Sequence, residues 1–427
     1  MTTAPPAGRS GVAAVELGPL GLDGGAHVLV KLGLAGLGAG DRLAVRGHHP
    51  ELAAHLAIWC RQQGHRWHPA RAGTGDEPGS GSGPEGGVPG DPIVGLVERG
   101  AAASARWQGA ERAGHPDPAR AHAVVAAPPA HWGLAARGAA VEPGGPEPAF
   151  RLARRDEVWT DRAAGLYAQA AAGQWDPATA IDWSLPIGHS PEVEAAVVQV
   201  MTFLVENEEA ALVVPARFLG QVHPHFREMQ QALAVTVADE ARHIEVFTRR
   251  ASMAGRPLAL STVGGRASLQ TLLDEPDFST ASFLLSVMGE GTFVSLLSFL
   301  ERHAPDPLTR RIAHLTRNDE ARHVALSLAH LEQHVTADPA LRGRLTRAAE
   351  ARHRALQATA GLNEDVFDAL VLLAAGEASP TAIASGWRHV QALQAEMADG
   401  RRARLARLGF GTDEAEAIAA LHTRNFM

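Results

Sequence analysis

One pentapeptide occurs twice in this chain, as Asp239-Glu240-Ala241-Arg242-His243 and again as Asp319-Glu320-Ala321-Arg322-His323. Each copy carries a Glu and a His at i and i+3, positions that share one face of a helix. Upstream of each copy runs an apolar helical stretch with a glutamate of its own. Glu209 precedes Glu240 by 31 residues, and Glu290 precedes Glu320 by 30. Such an interval holds a helix, a tight turn and an antiparallel return. Four helices would then turn Glu209, Glu240, His243, Glu290, Glu320 and His323 toward a common interior, a ligand set for two bridged metal ions.

The charges call for such an occupant. Four carboxylates buried together repel one another and shift their pKa values unless cations compensate them. Two divalent ions balance four glutamates, and each imidazole completes a coordination sphere. Carboxylate and imidazole donors without thiolate suit iron or manganese. A single Glu-x-x-His is most often a solvated helix face; the identical repeat, with a carboxylate at matched distance upstream of both copies, singles this pair out.

The 427 residues suffice for two or three domains with a sizeable core, and 45% of them are apolar. A formal net charge of −8 gives no sign of a nucleic-acid partner. The single cysteine, Cys60, excludes internal disulfides and thiolate-held clusters and fits a reducing cytosol. Met1–Ser10 shows neither the basic segment nor the apolar run of a signal peptide, and no apolar stretch reads as long enough to cross a bilayer. The expectation is a cytoplasmic protein with no membrane partner.

Along the chain, Val12–Leu17 and Arg42–Gly47 read as strands, Ala26–Leu37 as a helix, and Pro50 opens a helix over Glu51–Gln63 that stops at Gly64. His65–Pro69 and Pro92–Glu98 complete a small sheet, and the Gly-, Ser- and Pro-rich stretch 72–91 between them reads as a disordered loop. Residues 101–185 read as a connecting segment: strand or loop over Trp132–Val141, a helix over Glu157–Ala172, and a lead-in at Gln174-Trp175-Asp176-Pro177 that packs on a bundle end. The bundle itself, 186–337, opens at Ser190-Pro191, an N-cap followed by proline. Its first helix reaches Gly220, with Pro215 as a kink, and its second runs from Pro224 to Gly255. A long connection over Arg256–Phe278 lets the second and third helices run parallel. The third spans Ser279–His303, and the fourth starts from Asp306-Pro307 and ends near His334. Residues 338–427 form a helical extension that packs on the bundle or on a second copy in a homodimer.

Residues 1–100 resemble the TusA-like sulfur-carrier family, a small two-layer α/β fold, in the Gly40-Asp41 turn and in Trp59-Cys60-Arg61 running into Gly64-His65. Members carry Cys-Pro-x-Pro at the start of the first helix, where this chain reads Gly21-Leu22-Asp23-Gly24-Gly25-Ala26. The sulfur-accepting cysteine is missing. Cys60 lies among apolar residues on the second helix, where a free cysteine serves as a small core hydrophobe. The resemblance therefore implies a degenerate carrier domain kept for docking or packing.

With its pentapeptide pair, 186–337 resembles the ferritin-like diiron-carboxylate superfamily, and the Asp and Arg around Glu and His also occur in bacterial multicomponent monooxygenase hydroxylases. The fold implied is mainly α: a ferritin-like four-helix bundle with a small N-terminal α/β domain and extra C-terminal helices. Two iron ions, or one manganese and one iron, and O2 as co-substrate are implied with it. Asp239 and Asp319 would take the outward N–H of the histidines across the helix pair, steadied by Arg322 or Arg242. The plain alternative for Asp-x-x-Arg is an i,i+3 ion pair on one helix.

Departures from the superfamily narrow the reading. A radical-storing reductase subunit has tyrosine one turn after the first histidine; that position is Phe247, and 191–335 contains neither Tyr nor Trp. The p-aminobenzoate N-oxygenase type has a third histidine one turn before the second Glu-x-x-His, where this chain has Thr316. The monooxygenases place threonine one turn after the third-helix glutamate, where this chain has Phe293 and Val294. Gly289 and Gly291 bracket Glu290, each costing about 1 kcal/mol in a helix; room beside the carboxylate and close helix packing both account for them. The resulting expectation is an oxygen-activating diiron oxidoreductase that hydroxylates, desaturates or N-oxygenates a small molecule, supplied with electrons by a ferredoxin or reductase. A ferroxidase or iron-handling protein, and a non-enzymatic scaffold with a structural metal site, are the alternatives.

Overall fold

The computed structural model describes residues 12–70, 92–102, 107–253, 255–357 and 364–421. The loop expected over 72–91 and the segment Met1–Ser10 lie outside the described residues. The chain divides into two units, Met1–Arg112 with Ala140–Gly145, and Ala113–Ala139 with Pro146–Met427. The connecting segment expected at 101–185 is thus divided between them.

In the first unit, short β-rich runs and two apolar-faced helices alternate: β1 (Ala13–Glu16), α1 (Ala26–Ala35), β2 (Arg42–Arg46), α2 (Leu52–Gln62), β3 (Arg66–Pro69) and β4 (Ile93–Glu98). The sheet order is β1-β2-β4-β3, with β1 parallel to β2 and β4 antiparallel to both neighbours, Val45 facing Gly95 and Trp67 facing Val97. Val30 and Leu34 of α1 and Leu52, Leu56, Trp59 and Cys60 of α2 bury against Leu43, Val45 and Val97 of the sheet. Each such side chain contributes roughly 1.5–3 kcal/mol by leaving water. The Arg99 guanidinium gathers carbonyls at the end of α1 and just beyond it, donating to Leu34 O at 2.9 Å and to Leu37 O. A two-residue ladder, β5 (Glu111–Arg112) with β6 (Ala140–Val141), completes the described strands of this unit.

The second unit is helical. After α3 (Ala163–Ala172), the bundle comprises α4 (Pro191–Leu219), α5 (Arg227–Ser252), a third rod and α9 (Pro307–Ala337). The third rod joins three pieces: α7 (Phe278–Ser282), a π-helical segment (Phe283–Glu290) and α8 (Gly291–His303). Side chains fix the starts, since Ser190 Oγ accepts from Val193 N and Asp306 Oδ1 accepts from Thr309 N at 2.7 Å. Such caps are worth about 1 kcal/mol each. The result is a mainly α protein with a ferritin-like four-helix bundle and a small N-terminal sheet.

Within the long connection after the second bundle helix, α6 (Val263–Leu273) forms, its N-terminus capped by Thr262, and it buries Leu272. One expectation needs correction here. Phe278–His303 is by length and composition apolar enough to cross a bilayer, contrary to the sequence reading, and 78% of its apolar window is buried inside the protein. A core helix surrounded by partners on every side needs no polar face.

The core divides into two apolar clusters. One holds Ala211, Val214 and Phe218 of α4, Met229 and Leu233 of α5, Phe283 to Met288 of the π segment, and Val324 to Val335 of α9. The other holds Val197 to Val205, Val246 and Phe247, Phe293 to Leu300, and Ile312 with Ala313. On all four rods the sequence between the clusters is where the glutamates and histidines sit. The C-terminal extension closes over both clusters of its own chain. Leu341, Leu345 and Ala349 of α10 (Leu341–Gln357) join the first. Leu370 of α11 (Glu364–Ala375) and Val390 and Leu393 of α12 (Pro380–Arg407) join the second. Phe410, followed by α13 (Thr412–Ala420), ends the fold in the first cluster.

Candidate metal centre

In the layer between the clusters, two four-residue groups form: Glu208, Glu240, His243 and Glu320, and Glu240, Glu290, Glu320 and His323. Within each group the donor atoms all lie within 4.8 Å of one another, and every member is buried. Glu240 and Glu320 belong to both groups, the position of bridging ligands. His243 Nδ1 lies 3.1 Å from Glu240, 3.3 Å from Glu320 and 3.5 Å from Glu208. His323 Nδ1 lies 2.9 Å from Glu240 and 3.6 Å from Glu320. The two imidazole centroids are 6.2 Å apart.

Glu209, expected from the sequence to complete the set, is exposed, and its place is taken by Glu208, 2% exposed. At 100° per residue only one of two adjacent glutamates can face the interior. Glu208 is in phase with buried Leu204, Met201 and Ala211, whereas Glu209 is in phase with Val213, 47% exposed. The apolar phase of α4 was the signal; matching the two upstream intervals to 31 and 30 residues obscured it.

The donor set fits a pair of cations. Glu208 Oε1, Glu290 Oε2 and both oxygens of Glu320 are buried atoms with no hydrogen-bond partner, and Glu240 Oε1 and His323 Nδ1 face each other at 2.9 Å. Leaving so many charged acceptors unmet is costly in a protein interior, and metal coordination meets the need. Burial and the charges of Glu240 and Glu320 push the Glu208 carboxyl well above its ordinary value. Burial and Glu320 do the same to Glu290. Burial opposes charge on Glu240 as well, yet His323 and hydrogen bonds with Glu208 and His243 hold it well below the usual carboxylate range. Burial disfavours both imidazolium ions, but Asp319 and Glu208 raise His243, and Glu240 and Asp239 raise His323, well above the ordinary histidine value. Without metal, then, protons take up the charge that cations would otherwise balance.

Around this set lies an outer layer. His243 Nε2 is 3.1 Å from Asp319 Oδ2, and His323 Nε2 is 3.2 Å from Asp239 Oδ2, so each aspartate serves the histidine of the other copy. Arg242 pairs with Asp239 on its own helix and with Asp319 at 3.0 Å across the bundle. Arg322 pairs with Asp319 and reaches Asp239 at 3.8 Å. The structure adds two residues from the segment before the bundle. Trp175 Nε1 donates to Asp319 Oδ2 at 2.8 Å, and Gln174 Nε2 donates to Asp239 Oδ1 at 2.8 Å. Arg242 stacks over the Trp175 ring at 4.6 Å and donates to Gln174 Oε1 at 2.6 Å. The lead-in segment therefore packs on the flank of the bundle beside its charged layer, not on an end. An oxidisable ring lies in hydrogen-bond continuity with His243 although 191–335 holds none.

Two narrow apolar cavities touch Glu290. One, of about 30 Å³, is lined by Val214, Phe218, Phe278 and Leu285 together with Glu290 and His323. The other, of about 20 Å³, is lined by Leu269, Leu284, Gly289 and Phe293 together with Glu208, Glu290 and Arg352. The two glycines beside Glu290 have different reasons. A Cβ on Gly291 would sit 2.4 Å from the Arg404 guanidinium, whereas one on Gly289 would meet only Leu284 O at 3.4 Å. Close packing accounts for Gly291, while Gly289 leaves open space in the second cavity. Phe247 lies with its ring 6.5 Å from that of His243, and Thr316 is fully buried one turn before Glu320.

No family model matches the chain, and no curated protein matches it. Among solved structures, it is similar to variants of an R2-like ligand-binding oxidase. One with an aerobically reconstituted Mn/Fe cofactor is 15% identical over 62% of this chain and 92% of that chain, at a TM-score of 0.38. A second, also aerobically reconstituted, is 17% identical over 60% and 94%, at 0.42. A third, with an anaerobically reconstituted Mn/Fe cofactor, is 14% identical over 58% and 94%, at 0.42. At this level of likeness, the geometry of the charged layer remains the basis for function.

Proposed function

We propose that this protein is a dimetal oxidase that uses O2 to oxidise a small, largely apolar molecule. The observation that carries this reading is the pair of buried donor groups sharing Glu240 and Glu320, with apolar cavities ending on Glu290. Two iron ions, or manganese with iron, suit this carboxylate-rich set with one imidazole in each group. When bound, such a pair supplies redox equivalents and a place for dioxygen. Asp319 and Asp239 orient His243 and His323 and fix their tautomers, leaving each Nδ1 directed at the site. The apolar side chains around Glu290 keep bulk water from the site. Trp175 and Asp319 extend a hydrogen-bonded chain from His243 to a half-buried ring, which gives an external reductant a route inward.

For the first unit we infer a degenerate carrier. Cys60 is fully buried, and burial pushes its thiol up to about 11, far from the thiolate that sulfur transfer requires. A sulfur donor and desulfurase should leave Cys60 without a one-sulfur mass adduct.

The test of the main reading is metal analysis followed by oxygen uptake with a chemical reductant. Two metal ions per chain and reductant-dependent oxygen consumption are expected. Iron accumulating far beyond two per chain would favour an iron-handling protein, and no metal above background would end the dimetal reading.

A further inference from the structure

We propose that Arg404 and Arg401, on α12 of the C-terminal extension, are positioning residues for Glu290, bracing the π-helical turn that presents this carboxylate to the metal pair. The inference rests on the dimetal reading. It begins with the backbone: Phe283–Glu290 is π-helical and gives way to α-helix at Gly291, immediately after the ligand. A π segment is intrinsically less favourable than α and persists where something outside the helix holds it.

What holds it here is visible. Arg404 Nε donates to the carbonyl of Val287 at 2.7 Å, inside the last π turn. Gly291 has no room for a side chain because the same guanidinium lies against it, with Cζ and Nε 2.4 Å from where a Cβ would be. One turn along α12, Arg401 Nη1 lies 3.4 Å from Thr292 Oγ1, and that hydroxyl donates to Met288 O at 2.6 Å. The two arginines thus reach successive carbonyls of the last π turn, Val287 directly and Met288 through Thr292.

The cost of this arrangement argues that it does more than fill space. Arg401 is 2% exposed, and among the described residues the two arginines bond Thr292 and Val287 and no carboxylate. Arg401 Nε and Arg404 Nη2 are buried without a hydrogen-bond partner. Burial pulls both guanidinium pKa values down to about 10, the mark of charges held where they are poorly solvated. Buried charges without a counterion are destabilising, and an apolar side chain of similar length would pack there at lower cost. By contrast Arg407, also on α12, is half-exposed and pairs with Glu332 at 2.7 Å.

The experiment compares Arg404→Met, Arg404→Lys, Gly291→Ala and the control Arg407→Met by metal titration, the EPR spectrum of the loaded protein, and thermal unfolding of the metal-free chain. Arg404→Met should weaken binding of one of the two metals about 10-fold or more, the range found when groups behind a ligand are removed. Its metal-free unfolding temperature should hold or rise. Arg404→Lys, which keeps one donor for Val287 O, should recover part of the affinity, and Gly291→Ala should reproduce the Arg404→Met spectrum by displacing the guanidinium. Arg407→Met should match the native protein. If native protein binds two metals and Arg404→Met binds both as tightly, with an unchanged spectrum, the proposal falls. The same holds if Arg404→Met loses metal only in proportion to lost stability. If native protein itself binds no metal pair, it is the dimetal reading that fails.

Discussion

Asp319 Oδ2 lies 3.1 Å from Nε2 of His243, although the two stand 76 residues apart on different rods of the bundle. Asp239 makes the corresponding contact with His323, so each pentapeptide completes the other. Asp319→Asn, which keeps the shape and removes the charge, should lower metal affinity by about 10- to 100-fold. The double variant with Asp239→Asn should lose both metals. Titration with Fe(II) under anaerobic conditions measures this, and affinities within twofold of native would remove the aspartates from the account.

Adjacent glutamates on α4 offer a test of register. Glu208→Ala should abolish binding of at least one metal, since Glu208 is a member of the first donor group, while Glu209→Ala should leave stoichiometry unchanged. An exposed substitution of this kind should also stay within about 0.5 kcal/mol of native stability. The opposite outcome, with Glu209 required and Glu208 dispensable, would mean that α4 is rotated by about 100° from the position described here.

Trp175, hydrogen-bonded to Asp319, is the ring on which the route proposed above for an external reductant depends. Trp175→Phe removes the N–H and the easily oxidised indole but keeps an aromatic platform for Arg242. Reduction of the loaded protein by an external donor should slow, with metal content unchanged. Stopped-flow traces that overlay those of the native protein would show that electrons enter elsewhere.

A buried ion network far from the metal layer sets an acid limit on stability. Arg250 donates to Glu194 at 2.7 and 2.9 Å and to Asp306 at 2.9 Å. Burial alone would raise the Asp306 carboxyl, but Arg250 and Thr309 hold it below its ordinary value. Because the folded value is the depressed one, its contribution is fully present above about pH 4 and is lost as pH falls through the folded value. Asp306→Asn should therefore flatten the acid side of the stability profile, and Arg250→Met should cost about 3–5 kcal/mol at neutral pH by removing the guanidinium that two buried carboxylates share. Urea unfolding at several pH values reads both effects; an unaltered acid slope in Asp306→Asn would exclude this origin.

The bundle was legible because its signals are local and repeated. A capping serine before Pro191, a capping aspartate before Pro307 and two identical pentapeptides mark the helices and the faces they present. What escaped the sequence depends on phase and tertiary packing. Glu208 and Glu209 differ by one step of helical rotation, which spacing between motifs cannot resolve. The π segment is stabilised partly by Arg404, more than a hundred positions away, so no local propensity announces it. Gln174 and Trp175 join the site only because α3 and its following loop pack beside α5, and α6 is a helix with two glycines near its start that propensity disfavours.

The outer layer also breaks the likeness of the two halves. Asp319, behind His243, is tied to an aromatic ring; Asp239, behind His323, is tied to an amide. Phe278 and Leu285 wall a cavity that ends on His323 and Glu290, whereas His243 lines neither cavity. A motif copied within one chain has thereby acquired a front and a back: two donor groups with nearly the same inner residues have an indole behind one histidine and an amide behind the other. Two ions held there would be distinguishable to any incoming molecule, and an exchange of the two metals would not leave the protein as it was.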